Sequence, residues 1–223
     1  MCGRYNLRST PKEMQSFFDL AHEPAAFSVR YNIAPTQTVP AIRLIDDKRE
    51  AAFFRWGLIP FWAKDMKIGS SMINARADTV TEKPTYKAAF KRRRCLIPAS
   101  GFYEWKPGTG KVKQPYRIHQ TDNQLLAFAG LWETWDKGEA PVESCKIITT
   151  EANELMRPLH DRMPVILARS TWDVWLVPEV EADGLAKLLK PYEGADLIAE
   201  PVSTQVNNVR NDFASCVAKE SSG

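Results

Sequence analysis

Short apolar runs, separated by clusters of polar residues, Gly and Pro, recur along the chain and predict many short strands. Residues 40–45 and 51–56 form two such runs, and the polar segment 46–48 between them predicts a β-hairpin. Residues 71–75 and 95–98 predict two further strands. This part of the chain is therefore predicted to be mainly β-structure.

Three longer runs follow and predict an antiparallel meander, because turn residues separate them. The strands are expected at residues 101–106, 114–119 and 125–133, with turns at 107–110 and 121–123. A meander would place the three strands side by side in one sheet.

Helices are predicted at four places, and all of them are short. Thr10, Pro11 and Glu13 supply an N-cap residue, a proline at the first helical position and an acid at the third, which predicts a helix to about Leu20. The other helical segments are residues 84–94 with basic residues on the outer face, a helix that starts with the same capping pattern at 170–173, and residues 181–190.

The remaining apolar runs, residues 145–149 and 164–167, flank a polar segment and predict buried strands. Strands and helices do not alternate regularly, and no internal repeat is present. We therefore predict an α+β fold, with one domain over residues 1–223 that is built on a curved, mostly antiparallel, barrel-like sheet with short peripheral helices. From about Lys219 onward the chain is expected to be frayed.

The composition is that of an ordered globular protein. The chain has 223 residues, 44% of them hydrophobic, with 15 Pro and 7 Trp, which is enough for a well-packed core. No stretch approaches the ~20 apolar residues that span a bilayer, and the N-terminus lacks the layout of a secretory signal. We expect no membrane association and a cytoplasmic location, near the nucleoid in a bacterium or in the nucleus of a eukaryote.

The four cysteines, Cys2, Cys95, Cys145 and Cys216, are scattered without C-x-x-C spacing. This arrangement predicts reduced thiols, and neither a zinc site nor a disulfide framework. The sequence also lacks a glycine-rich phosphate loop of the P-loop or Rossmann type. We expect no metal and no cofactor.

The net charge is +3, from 30 Lys and Arg against 27 Asp and Glu, which is too small to indicate a nucleic-acid partner by itself. The distribution of charge is more informative. A dense basic run comprises Lys87, Lys91, Arg92, Arg93 and Arg94, whereas the C-terminal third is more acidic. Such a run is either a solvated face or a surface that contacts phosphates.

The most reactive candidate is Cys2, which follows the initiator Met1. Removal of Met1 would leave an α-amine and a thiol on one residue. The α-amine has a reference pKa of about 7.7–8.0 and is partly neutral at cellular pH, unlike the lysine amine at about 10.4. An amine beside a thiol suits N-terminal-nucleophile acyl transfer and condensation with an aldehyde to a thiazolidine ring. The alternative is that Cys2 is an ordinary core residue at the start of a first strand.

Glu104 lies in an aromatic segment of the chain. Strand alternation places it on the face of Phe102 and opposite Tyr103 and Trp105. A carboxyl group held among aromatic side chains would have a raised pKa and could move protons near neutral pH. The alternative is an ordinary charge on the outer face of a strand.

Three further polar side chains could complete a site. His160 lies in a proline-bounded polar turn between two apolar runs, where a proton-transfer role competes with a structural hydrogen bond. Asn74 and Arg76 are two residues apart in a predicted strand and share a face, so an amide could orient a reactant while a guanidinium holds a phosphate. The plain alternative is an ion pair between Arg76 and Asp78.

These segments occur in an order that resembles the SOS-response-associated peptidase (SRAP) family, also described as abasic-site-processing proteins. The motifs that carry the resemblance are residues 1–5 (MCGRY), 31–36 (YNIAPT), 56–60 (WGLIP), Asn74 with Arg76, 101–105 (GFYEW) and 160–164 (HDRMP). The resemblance extends to VRND at 209–212 and so covers nearly the whole chain.

The resemblance implies an α+β domain whose N-terminal cysteine forms a covalent thiazolidine link with the aldehyde of an abasic site in single-stranded DNA, as part of the DNA damage response. It implies that Cys2 is the nucleophile, Asn74 an orienting amide, Glu104 the acid/base group and His160 its proton-transfer partner. The DNA-binding residues assigned with it, as backbone or stacking contacts, are Arg4, Asn32, Trp62, Arg76, Trp105 and Arg162.

Three other functions remain open. Glutaminase domains of the N-terminal-nucleophile type also begin with Met-Cys-Gly, although they usually feed a synthase fused downstream. The family's name implies a cysteine peptidase, with Cys2, Glu104 and His160 as a triad-like group. The third is a non-catalytic single-strand-binding module, which would bind reversibly and give no covalent product. We expect a monomer.

Overall fold

A computed structural model describes residues 2–106 and 113–220, and its strands form two sheets. In chain order the strands are β1 (Tyr5–Leu7), β2 (Arg30–Ile33), β3 (Thr38–Ile45), β4 (Lys48–Trp56), β5 (Asn74–Arg76), β6 (Arg94–Ala99), β7 (Gly101–Lys106), β8 (Gln114–Gln120), β9 (Leu126–Trp135), β10 (Val142–Glu151), β11 (Arg162–Pro164) and β12 (Leu197–Pro201). The helices are α1 (Pro11–Phe18), α2 (Pro84–Arg92), α3 (Trp172–Leu176) and α4 (Ala182–Ala186), with 3₁₀ segments at Met66–Ser71, Arg169–Thr171, Thr204–Asn207 and Ala214–Val217.

The larger sheet closes on itself. Five of its strands form a ring in the order β10, β4, β3, β6 and β9, because β9 pairs back with β10. Strands β5 and β11 pair with the end of β10 beyond β4. All pairings are antiparallel except those of β10 with β4 and with β5. The predicted α+β class with a curved, mostly antiparallel, barrel-like sheet is therefore confirmed.

The smaller sheet, in the order β12, β8, β7, β1 and β2, packs its aromatic side chains against the ring. The Tyr5 ring lies 5.2 Å from the ring of Trp56 and 6.2 Å from that of Phe128, measured between centroids. Phe102 lies 5.9 Å from Phe128. These edge-to-face contacts join the two sheets in one hydrophobic cluster, which carries the first residues of the chain into the core.

Two local predictions are confirmed. The hairpin forms between β3 and β4, and its turn residues Asp46 and Asp47 have φ values of 48° and 60°, as two-residue turns between twisted strands require. Helix α1 begins with the predicted capping box. Glu13 N donates to Thr10 Oγ1 at 3.2 Å, and Thr10 N donates to Glu13 Oε2 at 2.7 Å.

The predicted three-stranded meander is wrong. Strand β8 pairs with β7 and β12 in the smaller sheet, whereas β9 pairs with β6 and β10 in the ring. The first six residues of β9, from Leu126 to Leu131, are all buried, so exposed and buried positions do not alternate there. A strand that is buried on both faces belongs inside a packed ring rather than at the surface of a hairpin. The predicted turn at 107–110 lies outside the described residues.

The predicted helix over 84–94 ends at Arg92, and Arg94 is not on an outer face. The Arg94 guanidinium is buried, and it donates to the backbone carbonyls of Phe90 and Lys91 at 2.6 Å and of Trp175 and Val177 at 2.5 Å. Burial lowers the pKa of Arg94 to about 10. Four acceptors compensate for the loss of water around this cation, so it is part of the scaffold.

Three other elements differ from the prediction in their bounds or caps. Strand β5 begins at Asn74 rather than at residue 71, and α4 covers only Ala182–Ala186. Helix α3 begins at Trp172, but the side chain of Thr171 makes no capping hydrogen bond, so the predicted capping pattern is wrong there. Among the described residues, no helix is both long and apolar enough to cross a membrane.

The chain remains paired beyond the point where fraying was expected. Lys219 forms a bridge with Val202, and its ammonium lies 2.9 Å from Glu200 Oε1. Glu220 N donates to Pro201 O at 3.1 Å. Residues 221–223 lie outside the described part of the chain.

Candidate active site

Cys2 lies just before β1, and the structure buries it completely. Its thiol is free, and the residue is 0% exposed. Strand β1 is fixed against β7, where Tyr103 N donates to Arg4 O at 2.9 Å. From β5, the side chain of Asn74 donates its Nδ2 to the Cys2 carbonyl oxygen at 2.9 Å. The backbone of the candidate nucleophile is therefore held by both sheets.

Burial raises the pKa of the Cys2 thiol well above its ordinary value, and the nearby Glu104 carboxylate raises it further. The backbone N–H of Arg4, which hydrogen-bonds to the sulfur, acts in the opposite direction with a smaller effect. The thiol is therefore protonated at neutral pH. Cys2 packs in the main hydrophobic cluster, as the alternative interpretation expected, and it also lies close to a buried acid. Its role as a nucleophile stays a prediction.

Glu104 is 4% exposed, so the alternative of a charge on an outer strand face is wrong. Phe102, on the same face of β7, packs in the main hydrophobic cluster, while Tyr103 and Trp105 pack in a second cluster. The predicted alternation is confirmed. Burial raises the pKa of the Glu104 carboxyl, and the neighbouring His160 acts in the opposite direction. Such a carboxyl group exchanges protons closer to neutral pH than an exposed one.

The His160 ring has two competing partners at the same nitrogen. Its Nδ1 lies 2.7 Å from Asp161 Oδ1 and 3.0 Å from the backbone N of Arg162. The carboxylate requires a proton on Nδ1, whereas the amide N–H requires a lone pair there. Only one contact is a hydrogen bond at a time. A neutral His160 therefore presents Nε2 as an acceptor in the first state and as a donor in the second.

Strand β5 places Asn74 and Arg76 on one face, as predicted. Its parallel pairing with β10 sets Asn74 beside Ile147 and Arg76 beside Thr149. Asn74 Oδ1 is buried and makes no hydrogen bond to the described residues. Asn74 therefore holds the Cys2 backbone with one side-chain atom and keeps an acceptor for a bound reactant.

The two candidate phosphate-binding arginines in this region differ in exposure. The Arg76 side chain is 57% exposed and bonds Asp78 at 2.5 Å, so the predicted ion pair is present. The Arg162 side chain is only 11% exposed, and its Nη2 donates to Thr149 O at 2.5 Å. Arg76 thus offers its guanidinium to solvent, whereas Arg162 is anchored to β10.

Arg4 and Asn32 hold the C-terminal segment. Arg4 Nη1 donates to Asn32 Oδ1 and to Val206 O, both at 2.8 Å, and its guanidinium lies 5.6 Å from the Trp105 ring centroid. Asn32 is fully buried. Its Nδ2 donates to three backbone carbonyls, those of Val206, Asn208 and Asn211. Both side chains are committed to the scaffold here, and their role in DNA binding stays a prediction.

The two candidate stacking residues lie in different settings. Trp105 packs on the second cluster, and its Nε1 donates to Asn207 Oδ1 at 2.6 Å. Trp62 is 46% exposed and lies in the loop between β4 and β5. Gly57 and Gly69 close the base of this loop, because a Cβ on either would clash with the carbonyl oxygen of the other, and Gly57 has a φ of +126°.

Three residues support the candidate site in the structure but are not predicted from the sequence. Thr149 anchors Arg162, and Asp161 contacts His160. Asp212 accepts from two backbone N–H groups of β2, at 2.5 and 2.9 Å. The position of Asp161 directly after His160 is a signal that could have been used. Asp212 belongs to the VRND stretch at 209–212, although that stretch does not indicate its partner in β2. Thr149 lies in no motif, and its partner Arg162 is 13 residues away.

All four cysteines are buried and free. Burial alone raises the pKa of Cys145, whereas a carboxylate also acts on Cys2. Within residues 2–106 and 113–220, no three His, Cys, Asp or Glu side chains are grouped as a metal site. What distinguishes Cys2 from Cys145 is therefore the acid beside it.

The residues assembled here can be compared with known proteins. Residues 1–209 match the model of the family described as SOS response associated peptidase (SRAP). The chain belongs to the SRAP family. The match covers Cys2, Asn74, Glu104 and His160, so the resemblance carried by the sequence motifs is confirmed.

Relatives and a solved structure agree with this assignment. Abasic site processing protein YoaM from Bacillus subtilis is 44% identical over 224 residues, which cover 99% of both chains. Abasic site processing protein HMCES from Xenopus tropicalis is 35% identical over 84% of this chain and 65% of its own length. The crystal structure of a protein from Bacteroides thetaiotaomicron has a TM-score of 0.81 at 28% identity, over 91% of this chain and 92% of that one. The SRAP fold thus extends over most of the chain.

Proposed function

We propose that this SRAP chain processes abasic sites in single-stranded DNA by forming a thiazolidine link through Cys2 after removal of Met1. The relatives YoaM and HMCES are named abasic site processing proteins, which supports the general activity. The observation that carries the specific chemistry is the grouping of three side chains around Cys2. Asn74 bonds the Cys2 carbonyl, Glu104 acts on the Cys2 thiol, and His160 acts on Glu104.

The first step opens the sugar. An abasic deoxyribose exists mainly as a closed hemiacetal, which must become an aldehyde before an amine can attack it. Protonated Glu104 donates its proton to the ring oxygen, while the C1 hydroxyl proton passes to Nε2 of His160. The raised pKa of Glu104 increases the protonated fraction that can act as the acid. General acid/base help of this kind is typically worth about 10²–10⁴-fold in rate.

The α-amine of Cys2 then attacks the aldehyde carbon, and loss of one water gives an imine. The thiol adds to the imine carbon and closes the ring, while its proton reaches the ring nitrogen. Because burial raises the pKa of the thiol, the sulfur reaches this step still protonated. The Glu104 carboxylate, which has by then given up its proton, is the base that relays it. The buried Asn74 Oδ1 accepts a hydrogen bond from the amine during these steps.

Phosphates of the strand are held at the rim of this site. Arg76 is exposed and can exchange Asp78 for a phosphate without leaving β5. Arg162 presents its guanidinium from a fixed anchor on Thr149. The strand would therefore cross the end of β10, where β5 and β11 meet.

A cysteine peptidase fits the same residues less well. Peptidase cysteines act as thiolates, and they have pKa values lowered by a positive neighbour or a helix N-terminus. The pKa of Cys2 is instead raised by burial and by Glu104. The raised thiol pKa is compatible with the proposed mechanism. There the amine forms the first bond to the aldehyde carbon, and the thiol reacts only afterwards, with the imine.

Denaturing gel electrophoresis after incubation with abasic single-stranded DNA tests the proposal. Wild-type protein should give a product that survives denaturation without borohydride, and intact mass spectrometry should show Met1 absent. Cys2→Ala should give no stable product. The matched control keeps the thiol but blocks the amine with an uncleaved N-terminal extension, and it should also be inactive. An extended protein that crosslinks at the wild-type rate would overturn the thiazolidine mechanism and favour thiol-only chemistry.

A further inference from the structure

The basic run of the sequence separates into buried and exposed members. Arg93 forms an ion pair with β9 at 2.6 Å, and Arg94 is buried in the scaffold. Lys87 and Lys91 are exposed on α2, and Lys83 is exposed at the N-cap of the same helix. We call Lys83, Lys87 and Lys91 the lysine ridge.

The lysine ridge is a regular line of charge. Its members are four residues apart, which puts neighbours on the same side of a helix. Four residues of α-helix rise about 6 Å, so the three ammonium groups span about 12 Å along α2. The ridge is therefore a linear array of cations on one element.

Helix stability does not explain the ridge. Like charges four residues apart destabilise a helix, and a cation at the N-terminus opposes the helix dipole, which is where Lys83 lies. At the C-terminal end, Arg94 already donates to the carbonyls of Phe90 and Lys91. Lys91 lies in the last turn, where a cation favours the helix dipole. Lys83 and the like-charge spacing act in the opposite direction, and an external anion would compensate for them.

The surroundings of α2 do not neutralise the ridge. Below the helix, Lys146 is fully buried, with its Nζ 3.8 Å from the centroid of the Tyr86 ring and no hydrogen-bond acceptor among the described residues. Burial, and then Lys83, lower the pKa of Lys146 to about 7. Within the described part of the chain, no carboxylate pairs with the Lys146 amine, so Lys146 brings no negative charge to the lower side of α2.

Two acidic side chains near α2 interact with arginines rather than with the ridge. Glu133 pairs with Arg93, and Glu179 acts on Arg94. Glu82 is exposed directly before the ridge. Glu82 alone cannot neutralise the three ammonium groups of the ridge.

The ridge continues from the proposed phosphate-binding edge of the active site. Thr79 N donates to Arg76 O at 3.1 Å, and Lys83 N donates to Thr79 O at 3.1 Å. Each hydrogen-bonded turn spans about 7 Å or less, so the Cα atoms of Arg76 and Lys83 lie within about 14 Å of each other. A strand that passes Arg76 therefore has the ridge within reach.

We propose that the lysine ridge binds the phosphate backbone of the DNA that flanks the abasic nucleotide. This inference rests on the proposed function and adds a second part to its binding site. The ridge presents three cations in a line, so it can pair with up to three phosphates of the strand. The contacts would be independent of base sequence, because phosphates carry no sequence information directly.

The test compares two triple variants with equal charge changes. The ridge variant combines Lys83→Gln, Lys87→Gln and Lys91→Gln, since Gln is also a good helix former. The control variant changes three exposed lysines on other elements, namely Lys12→Gln, Lys48→Gln and Lys187→Gln. Each is titrated with salt on a long abasic single strand, on the same strand undamaged, and on a trinucleotide with a central abasic residue.

The ridge variant should lose affinity for both long strands, and the slope of log affinity against log salt should flatten by about 0.7 per lost contact, or about 2 in total. Its single-turnover rate on the trinucleotide should equal that of wild type, because the Cys2 site is unchanged. The control variant should match wild type on all three substrates. A Lys→Arg version of the ridge keeps the charge and should restore the slope.

Wild-type affinity and slope in the ridge variant would overturn the proposal, and so would equal losses in the ridge and control variants. Failure of wild-type protein to crosslink any abasic DNA is a different result, which would overturn the proposed function. The salt titration on the undamaged long strand would still decide whether the ridge binds DNA. A melting temperature at or above that of wild type in both variants excludes unfolding as the cause.

Discussion

On one face of β7, Glu104 is buried close to Cys2 and His160; on the other, Tyr103 and Trp105 pack against the C-terminal segment. The polar atoms of the second face have defined partners. Tyr103 Oη donates to Tyr31 O at 2.6 Å, and Trp105 Nε1 donates to an asparagine at the same distance. Burial also raises the pKa of Tyr103, but a tyrosine is neutral at physiological pH in either case. On the first face, burial raises the pKa of Glu104, a group that is charged at neutral pH when it is exposed.

The difference separates structural polar groups from chemical ones within a single strand. A buried polar group that is satisfied by a neutral partner stabilises the fold and changes little with pH. A buried group whose charged form is disfavoured stores free energy that proton transfer can use. The assignment of roles to the two faces can therefore be tested by removing one group from each.

The largest expected effect is on the first face. Glu104→Gln keeps the shape of the side chain and removes the proton, so the single-turnover crosslinking rate should fall by about 10²–10⁴-fold with DNA affinity unchanged. Tyr103→Phe is the matched control on the second face, and it should crosslink at the wild-type rate with a lower melting temperature. Equal rates in both variants and wild type would show that the Cys2 aminothiol needs no acid/base partner.

Asn32 of β2 holds the C-terminal segment that packs against the second face, and Asn32→Ala should destabilise the protein more than it slows the chemistry. The substitution leaves the Arg4 donor and three backbone carbonyls without the Asn32 side chain. We expect a loss of about 1–3 kcal/mol in the free energy of unfolding, measured in urea. The rate at saturating DNA, below the melting transition, should stay near that of wild type. A folded variant with full stability and no DNA binding would instead make Asn32 a direct DNA contact.

A smaller effect is expected from the residue that decides the proton position on His160. Asp161→Asn removes the carboxylate that requires a proton on Nδ1, which leaves the contact with Arg162 N. The pH–rate profile should change shape. The rate should fall by less than about 10²-fold, which is the smallest loss expected for a direct general acid or base. Asp78→Asn removes the same charge beside Arg76 and should alter only DNA affinity. Identical pH profiles in both variants would remove Asp161 from the mechanism.

The smallest effect concerns stability against pH. Because burial raises the folded-state pKa of Glu104, folding favours its protonated form. Its contribution to stability is therefore fully present below the unfolded value of about 4.3 and is lost as pH rises through the folded value. The introduced glutamine carries no charge at any pH, so the Glu104→Gln variant does not lose stability as pH rises. It should melt at a higher temperature than wild type at neutral pH, and this difference should disappear at acidic pH. A variant that melts lower at neutral pH would contradict the assigned shift.

Local rules predicted the face of Glu104 and the cap of α1, because alternation and capping depend on residues two or three positions apart. The same rules missed the sheet of β9, whose partners β6 and β10 lie on either side of it in sequence. They also placed Arg94 on the surface, since one of its acceptors, Trp175 O, is 81 residues away. The candidate site followed the same division. Its proposed reacting groups occur in recognisable motifs, whereas Thr149 lies in none, and the partners of Thr149 and Asp212 are known only from the folded chain.

The attachment of Arg4 to Val206, 202 residues later in the chain, has a consequence for the timing of biosynthesis. At about 5–20 residues per second, a ribosome needs about 10–40 s to make the intervening chain. During that interval the beginning of the protein lacks the partner that fixes it. The proposed reaction requires an aminopeptidase to remove Met1, and the nascent chain gives that enzyme its opportunity before the reactive cysteine is enclosed. The segment around Val206, which fixes Arg4 two residues after Cys2, is therefore made well after the candidate nucleophile.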